Sequence, residues 1–457
     1  MEKDASRESC LLNVSRHWFV ILAFASFYLV AEFGCGRIGL KSGFGVMNDG
    51  LLPSSVSSTR SGSGVADRCA GRYVYMYRLP SKFNDDLLRN CRSLAKWFDM
   101  CPFAVNSGLG PGMEKKGWFA TNQFMLEVIF RGRMEHYECL TNDSSMASAV
   151  FVPFYAGLDI GRHLWGFNAS VRDSLENDLV EWLKRAPEWR KTRGVDHFLI
   201  GGRIGWDFRR GADDEAEWGG KLMTVAECRN MTMLTIESTF FDNDVAIPYP
   251  TYFHPTTRAE VTRWQNQMRK QKRRRLFSFV GGPRNDSIRI KLMDKCLDSG
   301  NRCLFFNCHD KASNCDDPSR VLKVHKNSIF CLQPPGDSDT RRSTFDSMLA
   351  GCIPVFFRRN SAYSQYFWHL PRNYSKYSIF IPEDEVLQNK VSVTETLLRI
   401  PSETVKEMRE EVIKLIPGVI YADPRHDVEH GLEDAFDLAI KGVLNRIAIR
   451  QNDTSHL

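Results

Sequence analysis

The segment FCLQPPGDSDTRRSTFDSMLAGCIPVFF, from Phe330 to Phe357, constrains the fold more than any other stretch, because it reads as strand, turn, helix and strand in direct succession. Phe330 to Leu332 is a short apolar run. Pro334, Pro335 and Gly336 interrupt it, and Asp337 to Thr340 supply side-chain oxygens where a helix would begin. The helix is expected from about Arg341 to Leu349, ended by Gly351 and followed by the buried strand run Ile353 to Phe357. A helix start beside the carboxyl end of a strand favours an anion, because its N–H groups are unpaired and its dipole end is positive. Ser338 and Thr340 lie in that turn, and Arg341 and Arg342 add cationic donors at the same edge. Arg342 and Asp346, four residues apart, share a helix face, so one suits a diphosphate and the other ribose hydroxyls. The plain alternative is a salt-bridged surface helix. The flanking buried strands favour an anion site.

The rest of the chain repeats this alternation of apolar strand runs and amphipathic helices, which implies α/β architecture with parallel sheets covered on both faces. Tyr73 to Tyr77, Ala149 to Pro153 and His197 to Ile200 read as strands of a first domain spanning 68–260, with helices capped by Thr121 and Ser170. A second domain, 276–457, carries strand candidates from Leu276, Cys303, Ser328, Ile353 and Tyr377, and its last helix is expected to return toward the first domain. Between them, 261–275 reads as a basic linker ending in RKQKRRR, Arg269 to Arg275, where much of the formal net charge of +6 is concentrated. Nucleic-acid binding is the rival reading of such a run, but a solvated linker suits its place better. FVGGPRNDSIR, from Phe279, is a strand followed by a glycine turn, with Arg284 in the turn and Arg289 on the next helix, near strand ends where ligands of open parallel sheets gather. Asp242-Asn243-Asp244 matches a short metal-binding pattern, yet Asp and Asn are equally expected for turn geometry.

The N-terminus points to the secretory pathway. Residues 1–17 read as a cytoplasmic tail and 18–35 as a transmembrane signal anchor, built on the uncharged run WFVILAFASFYLVA. A cleaved signal peptide or a buried core helix are its rivals. Residues 36–67, rich in Gly and Ser, read as a flexible stem. Sequons stand at Asn13, Asn142, Asn168, Asn230, Asn285, Asn373 and Asn452. All but Asn13, on the cytoplasmic side, are expected to be glycosylated. Of 13 cysteines, Cys10 and Cys35 precede the folded part, and the remainder permits several disulfides with at least one thiol left over. Cys296, Cys303, Cys308 and Cys315 lack zinc-site spacing, and local disulfides or buried thiols fit them better.

The donor-turn segment resembles that of exostosin-type glycosyltransferases, family 47, in the plant branch of the xyloglucan galactosyltransferases. CAGRYVYMYRLPSKFN from Cys69, GWFATNQFMLEVIFRGRMEHYECLT from Gly117, FVPFYAGLDIGRHLW from Phe151, DHFLIGGRIGWDFRR from Asp196 and LFSFVGGPRNDSIR from Leu276 carry the same resemblance, in order, over about 68–445. It implies a GT-B fold, with two Rossmann-like domains facing a cleft. It also implies an inverting, metal-independent transfer of a sugar, foremost galactose from UDP-galactose, to xylosyl branches of xyloglucan by a type II Golgi membrane enzyme with its catalytic part in the lumen. Arg284 would contact the donor diphosphate. The expected partners are the UDP-sugar, a xyloglucan or related acceptor, the membrane and other Golgi transferases, with no nucleic acid and no required cofactor. Galacturonosyl or other glycosyl transfer, a catalytically silent glycan-binding partner and a metal-dependent transferase using Asp242 and Asp244 remain alternatives. In the broader family pattern an Arg lies three residues before the acidic residue of the donor helix. Ser343 stands there in this chain, leaving that work to Arg341 or Arg342. A general base would come from the first domain, with Asp196, His197 and Glu127 as leading candidates and Asp159 and His163 behind them. Trp118, Trp165, Trp206 and Trp218 are candidates for stacking on glucan rings, with core packing as the default.

Overall fold

The computed structural model describes residues 67–284 and 288–455. The expected tail, the anchor, nearly all of the stem and the sequons at Asn13 and Asn285 lie outside them. Among the described residues, no helix is long and apolar enough to cross a membrane.

Two parallel sheets organise the chain. The first contains β1 (Tyr73–Met76), β2 (Leu140–Thr141), β3 (Ala147–Phe151), β4 (His197–Ile200), β5 (Thr232–Thr235) and β6 (Asp244–Ala246), in the order β2-β1-β3-β4-β5-β6. The second contains β7 (Arg275–Gly281), β8 (Cys303–Asn307), β9 (Ser328–Gln333), β10 (Ile353–Phe356) and β11 (Ile379–Phe380), in the order β11-β10-β9-β7-β8. Both sheets begin at an inner strand, step once to one side and then wind the other way. This is the Rossmann-like, doubly wound arrangement, and its crevice opens where the winding reverses, at the carboxyl ends of the strands. In the second sheet that point lies between β7 and β9, whose ends lead into the Arg284 turn and the Pro334–Arg341 turn. Two such domains facing a cleft constitute the GT-B architecture. Every residue of β4, β5 and β10 is buried, as strands covered on both faces must be.

Local chemistry differs from expectation at several helix ends. Thr121 caps no helix, because its hydroxyl bonds the Leu109 carbonyl at 2.8 Å and the His254 ring at 2.9 Å, and α1 begins later, at Leu126–Glu135. The next helix on the path to the cleft is α2 (Ala156–Gly161). Ser170 is itself capped by Asn168, before α3 (Ser174–Arg185). Asn168 thus has a structural use besides its sequon. The expected linker is largely α4 (Arg258–Lys270), started by a Thr257–Glu260 capping box, with Val261, Trp264 and Met268 buried on one face. The basic run is in part solvated, as expected, since Lys270, Lys272 and Arg274 are exposed. Two of its cations are engaged as well: Arg269 pairs with Glu410 at 2.8 Å, and the mostly buried Arg273 donates to the carbonyls of His325, Ser328 and Ala350.

In the second domain, α5 (Ile288–Asp298) follows the Arg284 turn and α6 (Arg342–Leu349) follows β9. The final helix, α7 (Ala435–Ser455), crosses back to the first sheet as expected. Phe436 packs 4.7 Å from Phe130, and Arg133 meets Asp434 at 3.1 Å. Among the described residues, disulfides join Cys69–Cys139, Cys91–Cys101, Cys296–Cys303, Cys308–Cys315 and Cys331–Cys352, leaving Cys228 as a buried thiol. The Cys331–Cys352 bridge ties β9 to the residue before β10 and so brackets the turn and helix between them. Such crosslinks persist in oxidising compartments. Asn142, Asn168, Asn230, Asn373 and Asn452 are all exposed.

Candidate functional site

A cavity of about 950 Å³ lies between the carboxyl ends of the two sheets. The first domain contributes Arg203, Asp207, Glu237 and Tyr249 to its wall, and the second contributes Arg284, Ser338, Asp339, Arg341 and Arg342. The turn from Pro334 to Arg341 sets its chemistry. The expectation that this turn's side-chain oxygens cap the following helix is not met. Asp337 pairs with Arg284 and, at 3.5 Å, with Arg341, while Asp339 pairs with Arg358 at 3.1 Å. Ser338 Oγ donates to Glu237 Oε2 at 2.8 Å, and the Thr340 amide donates to Glu237 Oε1 at 3.1 Å. The start of α6 therefore has no side-chain cap. Its free N–H groups and dipole are directed at the turn.

Three arginines gather at this helix end. The Arg341 guanidinium lies directly over Gly336, where a Cβ would overlap it and force the guanidinium to shift. Arg284 and Arg289 line an adjoining cavity together with Gly336 and Asp337. Burial, followed by the charges of Arg341 and Arg284, pushes Arg289 down to about 10. A cation depressed in this way by two neighbouring cations suits an anionic ligand.

Arg342 and Asp346 do share a face, with Nε and Oδ2 3.4 Å apart, but Arg342 turns toward the first domain. It donates to the Thr121 carbonyl at 2.6 Å and lies 3.8 Å from the Tyr252 ring centroid. Asp346 is buried, and that burial lifts its carboxyl to about 6. Asp346 Oδ1, Arg342 Nη2 and Gln333 Nε2 are buried with no protein partner. Such orphaned polar atoms are costly unless a ligand satisfies them. Ser343 donates to Gln333 at 2.5 Å, so the side chain at the position of the family arginine points back at β9.

The three leading base candidates fall elsewhere. Asp196 and His197 sit at the amino end of β4, the end opposite the cavity. Asp196 accepts from Thr192 and pairs with His197 Nδ1 at 2.6 Å, and His197 Nε2 meets the Tyr77 hydroxyl at 2.9 Å. They form a closed polar set in which His197 is buried and Asp196 partly so. Glu127 caps α2, accepting the Gly157 and Leu158 amides at 2.6 and 3.0 Å, and burial holds its carboxyl well above the usual range. Asp159 is buried against Arg162, and burial presses His163 down to about 4. Asp242-Asn243-Asp244 is a turn with inward work: Asp244 accepts from Thr235 and from the Thr239 amide, both at 2.6 Å, while Asn243 donates to the Met223 and Cys228 carbonyls. Trp118 is core, against Phe253 and Trp264.

Sequence reasoning missed Glu237. It follows β5 at the carboxyl end, 3% exposed, and faces the donor turn of the other domain. Burial is the main reason its carboxyl is lifted to about 7. Its position just past a buried strand end was the available signal.

The Exostosin GT47 domain profile matches residues 68–397. The chain is 54% identical over 399 residues to "Probable xyloglucan galactosyltransferase GT12" of Arabidopsis thaliana, covering 84% of this chain and 78% of that protein. It is 51% identical to "Xyloglucan galactosyltransferase MUR3" of the same plant, over 87% of this chain and 66% of that protein. Identity to the plant's "Xyloglucan-specific galacturonosyltransferase 1" is 42%, over 83% of this chain and 58% of that protein.

The raised Glu237 carboxyl has a measurable consequence for stability. Its ordinary value of 4.5 applies to the unfolded chain and about 7 to the folded one, so between these the folded chain holds a proton that the unfolded chain has released. The stability contributed is fully present below the unfolded value and is lost as pH rises through the folded one. Glu237→Gln stays neutral throughout. Its melting temperature, relative to the parent, is expected to climb from about pH 5 to about pH 8. A difference that does not change with pH contradicts this assignment.

Proposed function

We propose, since the chain belongs to the exostosin GT47 family, that it transfers galactose from UDP-galactose to xylosyl side chains of xyloglucan. The observation that carries this reading is the uncapped start of α6 with Arg284, Arg289 and Arg341 gathered at it, a site made for a diphosphate. The names of the similar plant proteins support the sugar and the acceptor.

In this reading the amides at the start of α6 and the Arg341 guanidinium donate to the diphosphate, flanked by Arg284 and Arg289. Arg341 takes the work that the broader family pattern gives to the arginine at the position of Ser343. Asp346 accepts from ribose hydroxyls, and Arg342, fixed by Thr121 and Tyr252, holds that carboxylate in place. The acceptor oxygen attacks the anomeric carbon from the face opposite UDP. The bond from that carbon to the β-phosphate oxygen breaks, and its electron pair leaves with UDP. Glu237 takes the acceptor proton, the role expected earlier of Asp196, His197 or Glu127, and a single displacement inverts the anomeric centre. Charge developing on UDP is offset by the arginines and the helix end, so the reading requires no metal. Five disulfides and the exposed sequons support work in the secretory lumen, with 18–35 as the anchor to the Golgi membrane.

Calorimetry tests the donor site. Asp346→Ala is expected to weaken UDP by about tenfold or more, since charged hydrogen bonds contribute roughly 1.5–3 kcal/mol each. Arg341→Ala should weaken UDP far more than uridine, which lacks the diphosphate. UDP affinity equal to the parent's in both variants overturns these roles.

Turnover with UDP-galactose, against UDP-galacturonic acid as competing donor, tests the reaction. Glu237→Gln should lower kcat by about a hundredfold or more. Chelation should leave the rate unchanged. Near-normal turnover by the variant removes Glu237 from the chemistry, and a rate that chelation abolishes and manganese restores reinstates a metal.

A further inference from the structure

The Trp and Phe side chains most open to solvent are not scattered. Among the described residues six are strongly exposed, and four of these, Trp97, Phe98, Trp206 and Phe240, line the one cavity that also contains Glu237 and Arg341. Trp97, Trp206 and Phe240 are 56%, 54% and 51% exposed. A fifth, Phe241, adjoins them through Arg209, whose guanidinium lies 4.4 Å from Trp206 and 5.6 Å from Phe241. Exposed rings forgo the gain of burial, and their concentration at one rim marks a contact surface.

These rings are propped from behind. Trp97 leans on Trp165 at 5.3 Å, Trp165 stacks on Trp218 at 5.0 Å, and Phe98 meets Phe103 edge-on at 6.5 Å. Phe240 carries a further sign. Its backbone is left-handed, with φ of 65°, a conformation that disfavours bulky side chains and suits glycine. The turn is enforced around it: the Phe240 amide donates to Ser238 Oγ at 3.0 Å, the Ser238 amide donates to Gln365 at 2.9 Å, and the Thr239 amide bonds to Asp244. A strained aromatic held half in solvent at the mouth of a cleft is an arrangement the fold alone does not require.

We propose that this rim is the acceptor subsite, and that it takes an extended neutral glycan whose pyranose faces stack on Trp97, Phe98, Trp206 and Phe240. The inference rests on the reading above for the identity of the reaction carried out in this cavity. Pyranose rings present apolar C–H faces that match the negative face of an aromatic ring, and their equatorial hydroxyls leave the edges free for hydrogen bonds. At the rim itself Arg203 and Asp207 pair at 2.6 Å and offset one another, and Arg209 lies against Trp206, while the other arginines of the cavity stand on the donor side. Separate rings spaced around a polar floor suit a chain of sugars better than a lipid surface, which needs a continuous apolar patch. Continuity with the donor turn lets a branch of the bound chain reach Glu237.

The test uses the full chain and a xylosylated cello-oligosaccharide, with binding and transfer measured separately. Trp206→Ala and Phe240→Gly are each expected to weaken calorimetric binding of the oligosaccharide by about threefold to tenfold, with UDP affinity unchanged. Phe240→Gly should also melt at the same or a higher temperature, because glycine relieves the backbone strain. A merely structural Phe240 predicts the reverse, lower stability with acceptor binding kept, and that result overturns the proposal. So does unchanged oligosaccharide binding in both variants, or a loss of UDP affinity in step with it, which would assign the rim to the donor. If the parent binds the oligosaccharide through the rim yet transfers no sugar to it, the subsite stands and the proposed reaction falls.

Discussion

The carboxylate of Glu237 is the contact on which the arrangement of the cleft depends. It leaves the first sheet past the end of β5 and accepts from Ser338 and the Thr340 amide in the turn of the second domain. Two hydrogen bonds to this one buried carboxyl, each worth about 0.5–1.5 kcal/mol, tie the turn to the opposite wall. That contact places the turn, and no side chain of the turn accepts from the first amides of α6: Asp337 and Asp339 face arginines, and the Thr340 hydroxyl lies against that of Thr344.

Close packing enforces the rest of the site. Gly336 leaves room for the Arg341 guanidinium to lie across the turn, and the Cys331–Cys352 bridge holds the strands on either side. Arg342 reaches the Thr121 carbonyl of the first domain. The cavity is thus a product of two domains rather than a groove within one of them, and apolar packing joins those domains as well, as where Tyr249 meets Phe345 at 6.0 Å. In the same way α7 returns to the first sheet through Phe436 and Asp434.

Much of this was legible in the sequence. The alternation of apolar runs and helices gave the two parallel sheets, and Phe330 to Phe357 gave the strand, turn, helix and strand that hold the donor turn. What was not legible depended on which distant groups the polar side chains would meet. Asp196 and His197 attract notice as an acid beside a histidine, yet they begin a strand, and ligands of parallel sheets collect where strands end. Glu127 lies on a helix face that reads as accessible, but the Gly157 and Leu158 amides claim it. Glu237 has no motif around it, and its partners lie about a hundred residues away, so only its place past β5 could have singled it out. The cap expected for α6 failed for the same reason, because the turn's polar side chains face distant partners, Ser338 toward Glu237 and Asp339 toward Arg358.

Amide hydrogen exchange at the start of α6, measured with and without UDP, tests the central claim most directly. If the uncapped N–H groups of Arg342 and Ser343 receive the diphosphate, they become protected when UDP is added and remain unprotected with uridine. Exchange at these two amides that UDP leaves unaltered, while UDP demonstrably binds, contradicts the account and moves the diphosphate away from this helix end.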